Sequence, residues 1–328
     1  AHGGGGTRTQ ELLCEHILTF LRNPILDQMD DAAVVPMNCM DLVLTTDSYV
    51  VRPLFFPGGD IGRLAVCGTV NDIVMQGGIP QYFTLGLIIE EGLPIQDLRR
   101  VIESIAAAAK EAGIIIAAGD TKVIERRGGG GLFINTAGVG RRRSGVDTHV
   151  RNARPGDAVI LSGTIGDHGI AVMTAREGLG LQAPVASDVA PLNRMIGALF
   201  DAGIDIHCLR DPTRGGVAAA LNDIASAAGV GIVAEQRSIP VMPAVRGVCD
   251  LLGFDPIDVA NEGKAIVVCP RNSAESVLSV LRADPLGQAA AVIGEVVASH
   301  PGTVTLRTAA GGERIIAVPD GSDLPRIC

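Results

Sequence analysis

Five aspartates are spread along the chain in the places a metal–nucleotide site would need them: Asp31, Asp47, Asp72, Asp120 and Asp211. Each falls beside an expected strand end or on a helix face, and Asp47 and Asp120 carry Thr, Ser or Gly next to them. Mg²⁺ binds through a few carboxylates together with phosphate oxygens and water, so such a set suits a Mg-nucleotide. No segment reads as a Walker A loop, a protein-kinase signature or a dinucleotide fingerprint, which points outside those classes. Two further side chains could move protons: Lys122, two residues past Asp120, and Glu262 within Asn261-Glu262-Gly263-Lys264. Either is equally compatible with a solvated loop. The last residue, Cys328, ends the segment PDGSDLPRIC, where Gly321 to Asp323 are turn formers and Pro325 forbids helix or central strand. A sulfur nucleophile on such a tip reads as a carrier arm, and the plainer alternative is an inert thiol where the chain stops.

The elements that must hold these residues follow from periodicity and punctuation. A helix is expected over Gln10–Leu21, and a strand Leu42–Thr46 runs into Asp47. Asp60 reads as the N-cap of a helix from Ile61 to about Gln76, stopped by Gly77-Gly78. That helix is apolar all round, yet Asp72 shares a face with Ile61, Ala65, Gly68 and Met75. A carboxylate there is costly without a partner, so a cation is expected beside Asp72, either a metal or an Arg from another element. Strand Tyr82–Ile89, helix Ile95–Ala112, a short strand Ile114–Ala118 ending at Gly119-Asp120-Thr121-Lys122, the loop Arg126–Gly131 and strand Leu132–Val139 complete the first half. The second half begins with strand Ala158–Leu161 and continues through Asp211-Pro-Thr-Arg-Gly-Gly, a helix Val217–Ala228 and strand Ala265–Cys269. Strands adjoin one another too often for a regular βαβ series, so the expected class is α+β (mixed α/β), with mixed or antiparallel sheets. The expected domains are 1–151, 152–318 and a flexible tail at 319–328 carrying the terminal Cys.

Composition narrows the function. The 328 residues are 47% hydrophobic and carry a net charge of −9, which argues against a nucleic-acid partner bound through phosphates. No run of apolar residues is long enough to span a membrane, and the Gly-rich start lacks the apolar core of a secretory signal. The chain opens without Met, so its N-terminus is expected to be processed or shortened. Seven cysteines without a C-x-x-C pair suit reduced thiols in the cytoplasm, and no Cys/His spacing suits zinc. The glycines after Ala1-His2 could close backbone N–H groups around a phosphate or simply form a loose tail.

The stretches DDAAV, TTDSYVVRPLFFPGGDIGRLAVCGTVNDIVMQGG, GDTKV, DPTRGG, NEGK and the terminal PRIC together resemble the family of aminoimidazole-ribonucleotide synthetase, selenophosphate synthetase and thiamine-monophosphate kinase. Within it, FFPGGDIGRLAV and PRIC are similar to the branch that matures [NiFe] hydrogenases. The resemblance spans essentially the whole chain. It implies a two-domain fold of the aminoimidazole-ribonucleotide synthetase type, a homodimer formed through N-terminal sheets, and ATP with Mg²⁺ bound between domains or subunits. It further implies that a HypF-type carbamoyltransferase loads a carboxamide on Cys328. ATP would then phosphorylate the amide oxygen, Glu262 would act as base with Lys122 assisting, and a HypC–HypD complex would receive the cyano group. Asp31, with the adjacent Asp30 as its alternative, Asp72 and Asp211 match metal positions. Asp47, Asn71, Asp72, Asp120, Thr121, Asp211 and the opening Gly3, Gly4 and Gly5 match nucleotide contacts. A selenophosphate synthetase-like activity would need a reactive Cys in the N-terminal segment, where Cys14 instead falls in the expected helix. A small-molecule kinase, like a non-catalytic nucleotide-binding scaffold, has no use for Cys328.

Overall fold

Two sheets, each backed by helices, carry the chain. The computed structural model describes residues 30–37, 40–125, 131–176 and 183–318, with residues 23–28 and a few isolated positions before them. The opening glycines, most of the expected helix Gln10–Leu21, nearly all of the loop from Arg126 and the tail with Cys328 lie outside the described residues.

The first sheet is built from β1 (Ala33–Met37), β2 (Met40–Tyr49), β5 (Gly78–Glu90), β6 (Ile115–Ile124) and β7 (Leu132–Arg142), in the order β1-β2-β7-β5-β6. All neighbours are antiparallel except β5 and β6, which are joined by a helical crossover and run parallel. Between β2 and β5 comes a small hairpin, β3 (Phe55–Phe56) and β4 (Gly59–Asp60), and then helix α1 (Ile61–Met75). Asp60 caps α1 as expected, its carboxylate accepting from the N–H groups of Gly62 at 2.7 Å and Arg63 at 3.1 Å. Helix α1 lies across β2, β7 and β5, with α2 (Ile95–Ala112) packed on its outer side. This sandwiching explains why α1 is apolar on every side, whereas α2 alternates buried Val101, Ile105 and Ala108 with an exposed polar face. Each Leu or Ile fully buried here contributes ~1.5–3 kcal/mol. The edge strand β6 is exposed along most of its length, with Ile115 and Val123 both open to solvent.

The second sheet comprises β8 (Asp157–Leu161), β9 (Cys208–Arg210), β10 (Gly231–Glu235), β11 (Ile266–Pro270), β12 (Ala291–Val297), β13 (Val304–Arg307) and β14 (Glu313–Ile316), ordered β14-β13-β10-β12-β8-β11-β9. Only β10 and β13 run parallel. Strand β8 is buried on both faces and sorts its residues by alternation. Ala158 and Ile160 join a core that also contains α3 (Asp167–Thr174), α4 (Asn193–Asp201), α7 (Ala274–Ala283) and the first half's α1. Val159 and Leu161 instead pack under α5 (Gly216–Ala228). The two halves therefore share one continuous apolar core. The helix α6 (Pro243–Leu252) is present without having been expected.

Two expectations are corrected. Asp120, Thr121 and Lys122 do not follow a strand end but lie within β6, which runs ten residues to Ile124. Its register with β5 continues through Gly86 opposite Asp120 and Ile88 opposite Lys122, so pairing overrides the turn signal of Gly-Asp. Asp47 likewise lies inside β2, opposite Thr136 of β7. Among the described residues no helix is long and apolar enough to cross a membrane.

Candidate active site

Five segments converge on one cavity of about 220 Å³. Strand β2 supplies Asp47 and Tyr49, two residues apart and so on one face. Helix α1 supplies Gly68 and Asp72, one turn apart. Asp31 comes from the bend before β1, and the second half contributes Arg210, Asp211, Thr213, Arg214 and Glu262. The cavity thus sits where the two sheets' helices and turns meet.

The side chains are tightly placed. Thr45 Oγ1 donates to Asp72 Oδ2 at 2.7 Å, and Tyr49 Oη donates to Asp47 Oδ2 at 3.0 Å. A Cβ on Gly68 would stand 2.3 Å from Tyr49 Oη, so the tyrosine can lie against the helix only over glycine. Arg210 places Nη1 2.8 Å from Asp31 Oδ1 and Nη2 2.8 Å from Asp223 Oδ2 of α5, holding Asp31 from the second half. Asp30 points elsewhere: its carboxylate pairs with His149 Nδ1 and accepts from Val150 N–H. Of the two adjacent aspartates, Asp31 faces the cavity.

Five carboxylates line this space, and burial dominates the electrostatics of Asp31, Asp72, Asp211 and Glu262. Desolvation pushes Asp72 well above the usual carboxylate range, and Asp47, Asp211 and Asp31 add to the rise. Burial raises Asp31 in the same way, opposed by Arg210, and lifts Asp211 to about 6. Glu262 is pushed up by burial first, then by Asp211, Asp188 and Asp47. Tyr49 is held protonated by burial and by Asp47. Arg210 is already engaged by Asp31 and Asp223, and Arg214 is exposed. At Asp72 the described partner is the Thr45 hydroxyl.

The residues fit a hard divalent cation. Asp31 Oδ2 is buried with no hydrogen-bond donor, and the oxygens of Asp31, Asp72 and Asp211 carry mutually repelling charge that a cation would relieve. Among the described residues no group of three His, Cys, Asp or Glu side chains is arranged to hold a metal ion by itself.

The other sequence-derived candidates are placed as follows. Asn71 does not line the cavity but is buried beside it: Nδ2 donates to the carbonyls of Ala190 at 3.1 Å and Glu262 at 3.2 Å, while Oδ1 accepts from Leu192 N–H at 2.8 Å. Asp120, Thr121 and Lys122 are not brought to this cavity. Lys122 Nζ pairs with Asp120 Oδ2 at 2.9 Å on the exposed strand β6. Gly3, Gly4, Gly5 and Cys328 fall outside the described residues.

Sequence reasoning missed Tyr49, Thr45, Gly68 and Arg210, although the period-2 spacing of Asp47 and Tyr49 was a usable signal. It also missed a second buried cluster behind Glu262. There Lys264 Nζ lies 3.1 Å from Asp188 Oδ2 and 3.9 Å from Asp167 Oδ2. A larger cavity of about 880 Å³ adjoins the acidic one, sharing Asp31, Arg210 and Arg214 and lined by apolar groups such as Leu44, Phe83 and Val139.

Comparison with known proteins gives the family. The AIR synthase related protein N-terminal domain matches residues 29–142, and the corresponding C-terminal domain matches 154–307. The carbamoyl dehydratase HypE of Azotobacter vinelandii is 48% identical over all of this chain and 96% of its own length. The HypE chain of a crystallised HypE–HypF complex matches at 48% identity and a TM-score of 0.89, over 94% of this chain and 99% of that one. A hydrogenase maturation protein HypE crystallised in complex with ATP matches at 45% identity and a TM-score of 0.85, over 100% of this chain and 98% of the other. The chain belongs to the AIR synthase related proteins and, among them, to the carbamoyl dehydratases called HypE.

Proposed function

We propose that this chain dehydrates a carboxamide carried on the Cys328 thiol to a thiocyanate at the expense of ATP, supplying the cyanide ligand of [NiFe]-hydrogenase iron. The observation that carries the reading is the buried, under-compensated acidic cavity with Glu262 on its wall. ATP binding is supported by the ATP complex of a relative 45% identical. In our reading the 880 Å³ cavity takes the apolar base and sugar, and the acidic one takes the phosphates.

Mg²⁺, when bound by Asp31, Asp72 and Asp211, supplies charge neutralisation at the phosphates. The chain's own groups do the rest. The amide oxygen attacks the γ-phosphorus and ADP leaves. Glu262, with an affinity for protons raised by burial, takes one N–H proton to give the neutral O-phosphoryl imidate; the C–O bond then breaks, and the remaining N–H proton leaves with the departing phosphate, giving S–C≡N. Tyr49, kept protonated beside Asp47, holds that carboxylate in place. Asp120, Thr121 and Lys122 stand away from the cavity on an open strand edge. We therefore assign their part to a second copy of the chain packed against that sheet, so Lys122 assists only in a homodimer. The N-terminal glycines are assigned to the nucleotide and the domain boundary to residues 151/152. A HypF-type transferase would load Cys328, as the HypE–HypF complex of a relative supports, and a HypC–HypD complex would unload it, all in the cytoplasm.

The deciding experiment is intact-protein mass spectrometry after incubation with the transferase, carbamoyl phosphate and ATP. A carboxamide adduct that loses the mass of water only when ATP is present is the expected result. An adduct that forms equally on the chain lacking Cys328 would overturn the carrier reading.

A further inference from the structure

Glu262 is gripped from behind by a segment that sequence reasoning passed over, the extended strap 183–192 between α3 and α4. Asp188 on this strap accepts from the backbone N–H of Glu262 at 3.1 Å through Oδ1. Its other oxygen makes an ion pair with Lys264 at 3.1 Å without receiving a hydrogen bond, and the two side chains are 3% and 9% exposed. The strap runs so close to the Glu262 loop that a Cβ on Gly263 would stand 1.9 Å from the Asp188 carbonyl, which accounts for the glycine of Asn-Glu-Gly-Lys. The strap is itself fixed at three points. Ser187 N–H donates to Pro57 O of the β3–β4 hairpin at 2.7 Å. The Ser187 hydroxyl contacts His168 Nδ1 at 2.8 Å, and that imidazole meets Phe56 of the same hairpin edge-on. Asn71 then holds Ala190, Leu192 and the Glu262 carbonyl together. The Phe-Phe-Pro-Gly-Gly motif thus acts as the bracket for the strap.

We infer that Asp188, braced by Lys264 and carried on the hairpin-supported strap, is a positioning residue that fixes Glu262 for proton abstraction. The inference rests on the reading of Glu262 as base. Asp188 also adds negative charge near Glu262, which favours a stronger base.

Two double variants isolate the hydrogen bond from the charges. Asp188→Leu/Lys264→Met replaces the pair by apolar groups of similar volume, leaves Asp167 without its cation to the same extent as the second variant does, and removes the acceptor. Asp188→Asn/Lys264→Met restores the acceptor without the charges. On the full-length, carbamoyl-loaded chain, the Leu variant should lose about 10²-fold in dehydration rate at saturating ATP, with the half-saturating ATP concentration changed by less than about twofold. The Asn variant should recover to within about fivefold of the parent. Equal rates in the two variants overturn the inference, and so does a loss confined to ATP affinity. Thermal melts establish that both are folded; if the Leu variant is not, Asp188→Ala/Lys264→Met takes its place in the comparison. Glu262→Gln is the control. A fully active Glu262→Gln variant refutes the base assignment itself, whereas an inactive one beside equal double variants refutes only the role of Asp188.

Discussion

Glu262 stands between two buried clusters of charge that follow opposite rules. Behind it, Asp167 and Asp188 share the ammonium of Lys264, so the fold brings its own cation. In front, Asp31, Asp47, Asp72 and Asp211 line a cavity whose buried guanidinium, Arg210, is divided between Asp31 and Asp223. Burying charge with little compensation is expensive, so a fold that gathers four carboxylates in one cavity beside a single shared guanidinium is keeping them for something that arrives later. The compensated cluster holds shape, and the uncompensated one awaits a ligand.

Four changes test that contrast, in falling order of expected effect. Glu262→Gln removes the group where the clusters meet. Dehydration should fall by about 10³-fold while carboxamide loading persists, followed by mass spectrometry of the intact chain. Unchanged turnover would deny it a role in the chemistry. Lys264→Met takes the cation from the compensated cluster and leaves two carboxylates buried beside each other. It should cost about 3 kcal/mol in denaturant unfolding, the usual result of breaking a buried pair; a neutral result would mean that the cluster is not stabilising. Asp72→Asn should act in the reverse sense, raising the melting temperature of the metal-free chain while weakening the protection that Mg-ATP gives against heat. If the melting temperature falls, the cavity is compensated after all.

The smallest effect concerns a carboxylate outside both clusters. Burial lifts Asp258 to about 6, with Asp255 adding to the rise. Its folded-state affinity for protons exceeds that of the unfolded chain, so the protonated form favours folding. That contribution is complete below about pH 4 and is lost as pH rises through about 6. Asp258→Asn should therefore stabilise by about 1 kcal/mol at pH 7, after allowance for partial exposure, and change nothing near pH 4. Equal gains at both pH values would mean that charge is not the cause.

Much of the front cluster was legible in the sequence because its cues are local. Asp60 caps a helix by a rule confined to four residues, and Asp72 stands out as a carboxylate on an all-apolar helix. Glu262 is marked by the stretch Asn-Glu-Gly-Lys, and its part as base by the family resemblance alone. The rear cluster was not legible, since Asp167, Asp188 and Lys264 are separated by tens of residues and meet only through tertiary folding. A signal existed in Lys264, a cation directly before the buried run Ala265–Cys269, which demands a distant countercharge. Asp120 to Lys122 went astray for the opposite reason: a strong local turn cue lost to nine residues of pairing with β5.

The side chain of Asn71 has a mechanical consequence. From a helix of the first sheet it ties down the strap at Ala190 and Leu192 and the loop at Glu262, three buried attachments from one amide. The two halves of the chain are therefore riveted at the point where Glu262 is mounted, and cannot swing apart like the covers of a book without shearing that rivet. A ligand of the cavity would instead come and go over its rim, with Glu262 held as still as the frame that bears it.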